Sequence, residues 1–230
     1  MPAANLNKDP KAVAQMFDAI ANKYDFTNGI ISLGQDRTWR RGTVKALAPA
    51  PGMKILDLAA GTGASSEPLF MRGAQVVSSD FSLQMLKVGT SRHPELTFLA
   101  ADATSLPFAD ATFDAVTISF GLRNVIDPQA AILEMYRVLV PGGRIVINEF
   151  SHPTFAPFRR VYFEYLMKIL PRVAGIFTSE GDSYEYLADS IRNWPTQVEL
   201  GKWLLAAGFE QVAYRNFTGG VVALHRGTKP

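Results

Sequence analysis

The run Ile55-Leu56-Asp57-Leu58-Ala59-Ala60-Gly61-Thr62-Gly63, followed by a second apolar run ending Val76-Val77-Ser78-Ser79-Asp80, decides how this chain is read. Two β-rich runs separated by a helix-length segment predict a β-α-β unit, with glycines in the first strand-to-helix turn and a carboxylate at the tip of the second strand. Such a unit makes a nucleoside-binding crevice. Gly61 and Gly63 let backbone approach a ligand with no Cβ in the way, and Asp80 accepts both hydroxyl protons of a ribose. A dinucleotide fingerprint carries a third glycine where this chain has Ser66, so a pyrophosphate is not the favoured ligand. A nucleoside without phosphates needs the tight turn and the ribose acid but no anion cradle, and S-adenosyl-L-methionine is the common cofactor of that kind. The plain alternative is an ordinary glycine-rich turn of an α/β protein.

Around this unit, strands at 53–58, 75–79, 96–100, 113–119 and 144–150 alternate with helices at 64–72, 82–92 and 128–139. That alternation predicts a parallel sheet with helices on both faces. Pro141-Gly142-Gly143 reads as a turn that stops the preceding helix at Val140 and starts the next strand. The last runs, 208–216 and 221–225, flank Phe217-Thr218-Gly219-Gly220 and read as an antiparallel hairpin at the sheet edge, giving a mostly parallel sheet of seven strands. Helical patterns at 11–23 and 36–47 precede the sheet. Segment 155–170 places Phe158, Val161, Tyr162, Tyr165, Leu166 and Ile169 on one helical face, with Arg159, Arg160, Glu164 and Lys168 mostly off it. It reads either as a core helix or as an apolar channel whose neighbouring cations, Arg172 included, rest on anionic lipid headgroups.

At 230 residues and 47% hydrophobic, the chain fits a single α/β domain. Within it, residues 1–50 are expected to form a helical cap, 51–152 the cofactor-binding core, 153–200 substrate-covering helices and 201–230 the hairpin. With 23 basic against 21 acidic residues and no basic run, nucleic acid is not an expected partner. There is no cysteine, and His93, His152 and His225 lack metal-ligand spacing, so the chemistry is expected to need neither thiol nor metal. Met1 to Lys11 has no apolar signal region and no eighteen apolar residues run together, so the chain is expected in the cytoplasm, with contact at the inner membrane face left open. Dimerisation stays open.

Further blocks carry a resemblance. They are Phe17 with Lys23-Tyr24-Asp25, Asn28, Ser32-Leu33-Gly34 and Trp39-Arg40; Ala103 to Phe108, Phe113-Asp114 and Ser119-Phe120-Gly121-Leu122-Arg123-Asn124-Val125; Arg137-Val138-Leu139 to Gly143 with Glu149-Phe150-Ser151; and Tyr186-Leu187, Ser190-Ile191-Arg192 and Leu224-His225-Arg226-Gly227. In this order and spacing, nearly end to end, the sequence resembles the quinone-biosynthesis C-methyltransferases that act on demethylmenaquinol or its ubiquinol-pathway analogue. The resemblance implies a Rossmann-like class I methyltransferase fold, S-adenosyl-L-methionine as cofactor and a polyprenylated quinol as substrate, with naphthoquinol the closer match. It also implies cofactor contacts at Thr62 in the glycine turn, Asp80 on the ribose, Asp102 with Ala103 beside the adenine, and Ser119. The chain departs from the family at Ala64, where an acid is frequent, at Val140 and at Trp194.

A quinol ring carbon attacks a sulfonium methyl when loss of a hydroxyl proton pushes charge onto the ring, so the site must favour a phenolate. Arg123 and Asn124, just past the fourth strand, are the candidates for that role, and Tyr24 with Asp25 lies where a lid would reach the ring. Against these stand a surface ion pair for Arg123 and helix packing for Tyr24. His152 is a reserve base. Two rival functions share the crevice: a nicotinamide-dependent oxidoreductase, which Ser66 disfavours, and a non-catalytic cofactor-binding module, which Tyr24, Arg123 and Asn124 disfavour.

Overall fold

The computed structural model describes residues 10–21, 32, 34–166 and 181–230. Tyr24, Asp25, Lys168, Ile169 and Arg172 lie outside them. Strands β1 (Lys54–Leu58), β2 (Gln75–Asp80), β3 (Thr97–Ala100), β4 (Phe113–Ser119), β5 (Leu139–Phe150), β6 (Glu210–Phe217) and β7 (Val222–Thr228) form one sheet in the order β3-β2-β1-β4-β5-β7-β6. The first five run parallel, and β7 runs antiparallel to both β5 and β6. The expected α/β sheet with a C-terminal hairpin is therefore what forms.

The helices are α1 (Pro10–Ile20), α2 (Asp36–Leu47), α3 (Glu67–Phe70), α4 (Leu83–Arg92), α5 (Pro128–Val138), α6 (Ala156–Glu164), α7 (Gly181–Arg192) and α8 (Gln197–Ala206). Local chemistry starts several of them. Asp127 accepts the Gln129 and Ala130 N–H groups ahead of Pro128, and Thr196 with Glu199 forms a reciprocal capping box for α8. Side chains alternate across each strand. Leu56, Val116 and Ile145 pack under α5 and α8, whereas Ile55, Ala115 and Val146 pack under α2 and α3. Strand order reverses between β1 and β4, so connections leave to opposite sides there and a crevice opens at the carboxyl ends.

Two expectations about boundaries are corrected. The helix expected over 64–72 is only the single turn α3, because the residues before it serve other ends. Gly63 has φ +88°, and a Cβ there would sit 2.9 Å from the Phe98 ring, while the Ser66 hydroxyl is bonded 2.6 Å from Asp57. The helix before Pro141-Gly142-Gly143 ends at Val138 rather than Val140, since Leu139 already pairs with Phe113. Arg144 then pairs with Ala115, so the Pro-Gly-Gly segment is a bulge inside β5.

Candidate active site

A cleft of about 910 Å³, counted to its open mouth, lies at the carboxyl ends of β1, β2 and β4. Asp80 ends β2 in its wall. One of its oxygens accepts the Gly61 N–H and the other the Ser82 N–H, each at 2.8 Å. Burial pushes this carboxyl above its usual range, and the N–H bonds oppose that shift. Each oxygen retains acceptor capacity for a further donor such as a hydroxyl. The Ser82 hydroxyl in turn bonds Asp18 at 2.5 Å, and Asp18 also accepts the Gln84 N–H, which pins α1 to the rim.

The other sequence-derived residues divide into two groups. Gly61, Asp80, Asp102, Ala103, Ser119 and Asn124 share the cleft wall. Asp102 is steadied by Thr104, whose N–H and hydroxyl both reach the same carboxylate oxygen at 2.8 Å. The Ser119 hydroxyl, expected either to meet cofactor or to satisfy local backbone, is buried and has no hydrogen-bond partner among the described residues. Thr62, Gly63 and Arg123 do not line the cleft. For Gly63 the close approach is to Phe98 on the far side of the turn, so its missing Cβ makes room for protein rather than for ligand.

Arg123 is a buried group, not a surface ion pair. Its Nη1 lies 2.8 Å from Glu149 Oε1 and 2.5 Å from the Phe120 carbonyl, its own N–H meets the second Glu149 oxygen, and its guanidinium stacks over Phe150. The guanidinium thus stands behind Asn124, which it was expected to accompany at the ring. Asn124 is held at the wall by the Tyr186 hydroxyl, 3.1 Å from its Oδ1. His152 lies against the Ile191 carbonyl and the Phe163 ring and not on the cleft wall.

Sequence reasoning passed over the most polar part of the interior. Asp57 accepts the Ser66 hydroxyl at 2.6 Å, and Ser66 accepts that of Ser78 at 2.8 Å. The position lacking a glycine therefore carries the partner of a buried acid. Asp57 Oδ1, Thr117 Oγ1, Ser119 Oγ and the Asn148 amide face the same side of the sheet without partners among the described residues. Ala59 and Phe120, both at positive φ (+49° and +58°), close the ends of β1 and β4 at the cleft. A non-glycine residue there costs on the order of 1–3 kcal/mol and marks a place where the surroundings dictate backbone shape.

Comparison with known proteins adds the decisive observation: residues 4–229 match the model of the ubiE/COQ5 methyltransferase family. The chain belongs to that family. A demethylmenaquinone methyltransferase of Streptomyces avermitilis is 62% identical over 229 residues, covering 100% of this chain and 99% of that protein. The protein of the same name from Renibacterium salmoninarum is 57% identical, covering 100% and 97%. A SAM-dependent methyltransferase structure from Thermotoga maritima superposes with a TM-score of 0.66 at 21% identity, covering 94% of this chain and 99% of that one, and shares its fold. The chain is accordingly a class I methyltransferase with S-adenosyl-L-methionine as its implied donor. The cleft fits it, with Asp80, Asp102 and Asn124 standing in a wall that also holds the apolar Val13, Phe17, Leu58, Met85 and Ile118.

Burial, with Asp80 nearby, pushes Asp57 up to about 7 from an ordinary 3.8, against the pull of Ser66 and Arg40. The folded chain thus holds a proton that the unfolded chain gives up. The stability this contributes is present at acid pH and is lost as pH rises from about 4 through about 7. Asp57→Asn removes that proton exchange. The difference in melting temperature, wild type minus Asp57→Asn, is expected to fall across this window, and a constant difference contradicts the assignment.

Proposed function

We propose that this chain transfers the methyl group of S-adenosyl-L-methionine to a ring carbon of demethylmenaquinol, giving menaquinol. The observation that carries this reading is the run of relatives named demethylmenaquinone methyltransferase, 54–62% identical along the whole chain. When bound, the donor supplies a methyl group on a positively charged sulfur, already electrophilic. Asp80 accepts the ribose hydroxyls, Asp102 and Ala103 flank the adenine, and Ser119, Gly61 and Thr62 complete the contacts or the turn that shapes them. The protein's remaining task is to hold a quinol carbon in line and keep water out.

Asn124 is the group for the quinol oxygen, because it lines the cleft and its amide donates to an oxygen that gains charge as the hydroxyl proton leaves. With the donor bound, methylation at that carbon would release neutral S-adenosyl-L-homocysteine, and return of the ring proton to the quinolate oxygen would restore the aromatic quinol, the hydroxyl proton being the one proton released. Arg123 works at one remove, fixing the turn that carries Asn124 through Glu149 and the Phe120 carbonyl. Tyr24, outside the described residues, keeps the role toward the quinol that the resemblance implies. In this reading 51–152 hold the donor, and 1–50 with 153–200 cover the quinol.

A prenyl tail needs an apolar exit. Trp39, Phe120, Phe150, Phe217 and Tyr162 of α6 cluster beside the cleft, and no side chain of α6 is fully buried. Phe155, Val161 and Tyr165 are exposed on or beside it, as are Arg159 and Arg160. No helix among the described residues is long and apolar enough to cross a membrane. The exposed apolar and basic residues of α6 support contact with anionic lipid at the cytoplasmic membrane face. Sedimentation with anionic but not neutral vesicles is expected, and equal recovery with both overturns the lipid assignment.

The reaction itself is tested with methyl-labelled donor and chemically reduced demethylmenaquinone or its benzoquinone counterpart. Label is expected in menaquinone, and label confined to the benzoquinone refutes the substrate. Asp80→Ala is expected to abolish donor binding by calorimetry, whereas Asn124→Ala leaves binding near normal and lowers kcat roughly a hundredfold, the scale of one lost transition-state donor. Equal loss of binding in both variants contradicts these roles.

A further inference from the structure

Tyr186 is 5% exposed and sits where three separate elements meet. Its hydroxyl comes from α7 to Asn124 Oδ1, at 3.1 Å, in the short 3-10 turn Leu122–Asn124 that follows β4. Its ring packs with Val13, beside Ala12, Met16 and Phe17 of α1, and both Val13 and Phe17 line the cleft. On the other side of the Asn124 amide, Nδ2 lies 3.5 Å from the Phe120 carbonyl. A backbone carbonyl only accepts, so a flipped amide would set two acceptors face to face there. The observed orientation satisfies both neighbours: the amide oxygen takes the Tyr186 proton, one N–H leans to Phe120, and the second N–H is left to a side chain that lines the cleft.

We propose that Tyr186 is a positioning residue for methyl transfer, its hydroxyl locking the Asn124 amide with a free N–H edge available to the quinol oxygen. The inference rests on the role given to Asn124 above. Burial raises the Tyr186 phenol, with Glu149 adding to the rise and Arg123 opposing it, so the hydroxyl keeps its proton and remains a donor. Without that donor the amide is free to turn its oxygen toward the ring, where an acceptor opposes the charge the reaction must build. Packing alone makes a different claim, because a phenylalanine ring fills the contact with Val13 equally well.

Tyr186→Phe separates the two. In the full chain it is expected to lower kcat about tenfold, the scale of one neutral hydrogen bond, with KM for S-adenosyl-L-methionine and melting temperature near wild type. In an Asn124→Ala background the same substitution is expected to cost nothing further. An unchanged kcat, or the same fall in both backgrounds, overturns the proposal. A second readout needs no quinol: the Asn124 side-chain amide signals in a nitrogen-15 NMR spectrum are expected to move in Tyr186→Phe, and signals left in place also overturn it. A wild-type enzyme that transfers no methyl to demethylmenaquinol counts against the proposed function instead, and the NMR comparison then decides the Tyr186 assignment alone.

Discussion

The site depends on how one carboxylate is kept at the mouth of an apolar crevice. Taking the Asp80 charge out of water is costly, and the rise in its proton affinity records that cost. Two backbone N–H groups offset part of it, Gly61 from the turn after β1 and Ser82 from the start of α4. The same two bonds fix the shape of the glycine turn and the entry into α4. Each oxygen keeps acceptor capacity beyond these bonds, which is what the proposed ribose contact requires. Asp18 extends this arrangement to α1 by bonding Ser82 and Gln84, and the cap is tied to the same few residues.

Behind this rim, among the described residues, the interior holds two more acids, each managed differently. Glu149 is 1% exposed and ionically paired with Arg123, and it also receives the Phe150 and Arg123 N–H groups. Removing Arg123 would strand that charge, a lesion on the order of 3–5 kcal/mol, so loss of activity in such a variant reports folding before chemistry. Among the described residues Asp57 has no cation in hydrogen-bond contact and is balanced instead by the Ser66 and Ser78 hydroxyls and by holding its proton more tightly. The pair and the hydroxyl chain let polar groups sit under a reaction centre from which water must be excluded.

Periodicity made the sheet legible, because parallel strands buried on both faces read as apolar runs and the intervening helices read at their own period. The place of Asp80 was legible because a carboxylate ending an apolar run falls at a strand tip beside the crevice. Ser66, Arg123 and Tyr186 were not, since each is defined by a partner distant in sequence: Asp57 nine residues away, Glu149 twenty-six and Asn124 sixty-two. The short α3 escaped for a related reason, as the close contact of Gly63 with Phe98 comes from β3, two strands later. The bulge in β5 looked like a helix stop because Pro-Gly-Gly breaks both kinds of element, and only the pairing of Leu139 with Phe113 tells them apart.

A crystal structure of the chain with S-adenosyl-L-homocysteine bound tests the central claim most directly. Both ribose hydroxyls are expected on the Asp80 carboxylate, with the Gly61 and Ser82 N–H bonds retained. A sugar seated elsewhere, or an Asp80 side chain rotated out of the crevice when the ligand enters, would contradict the account.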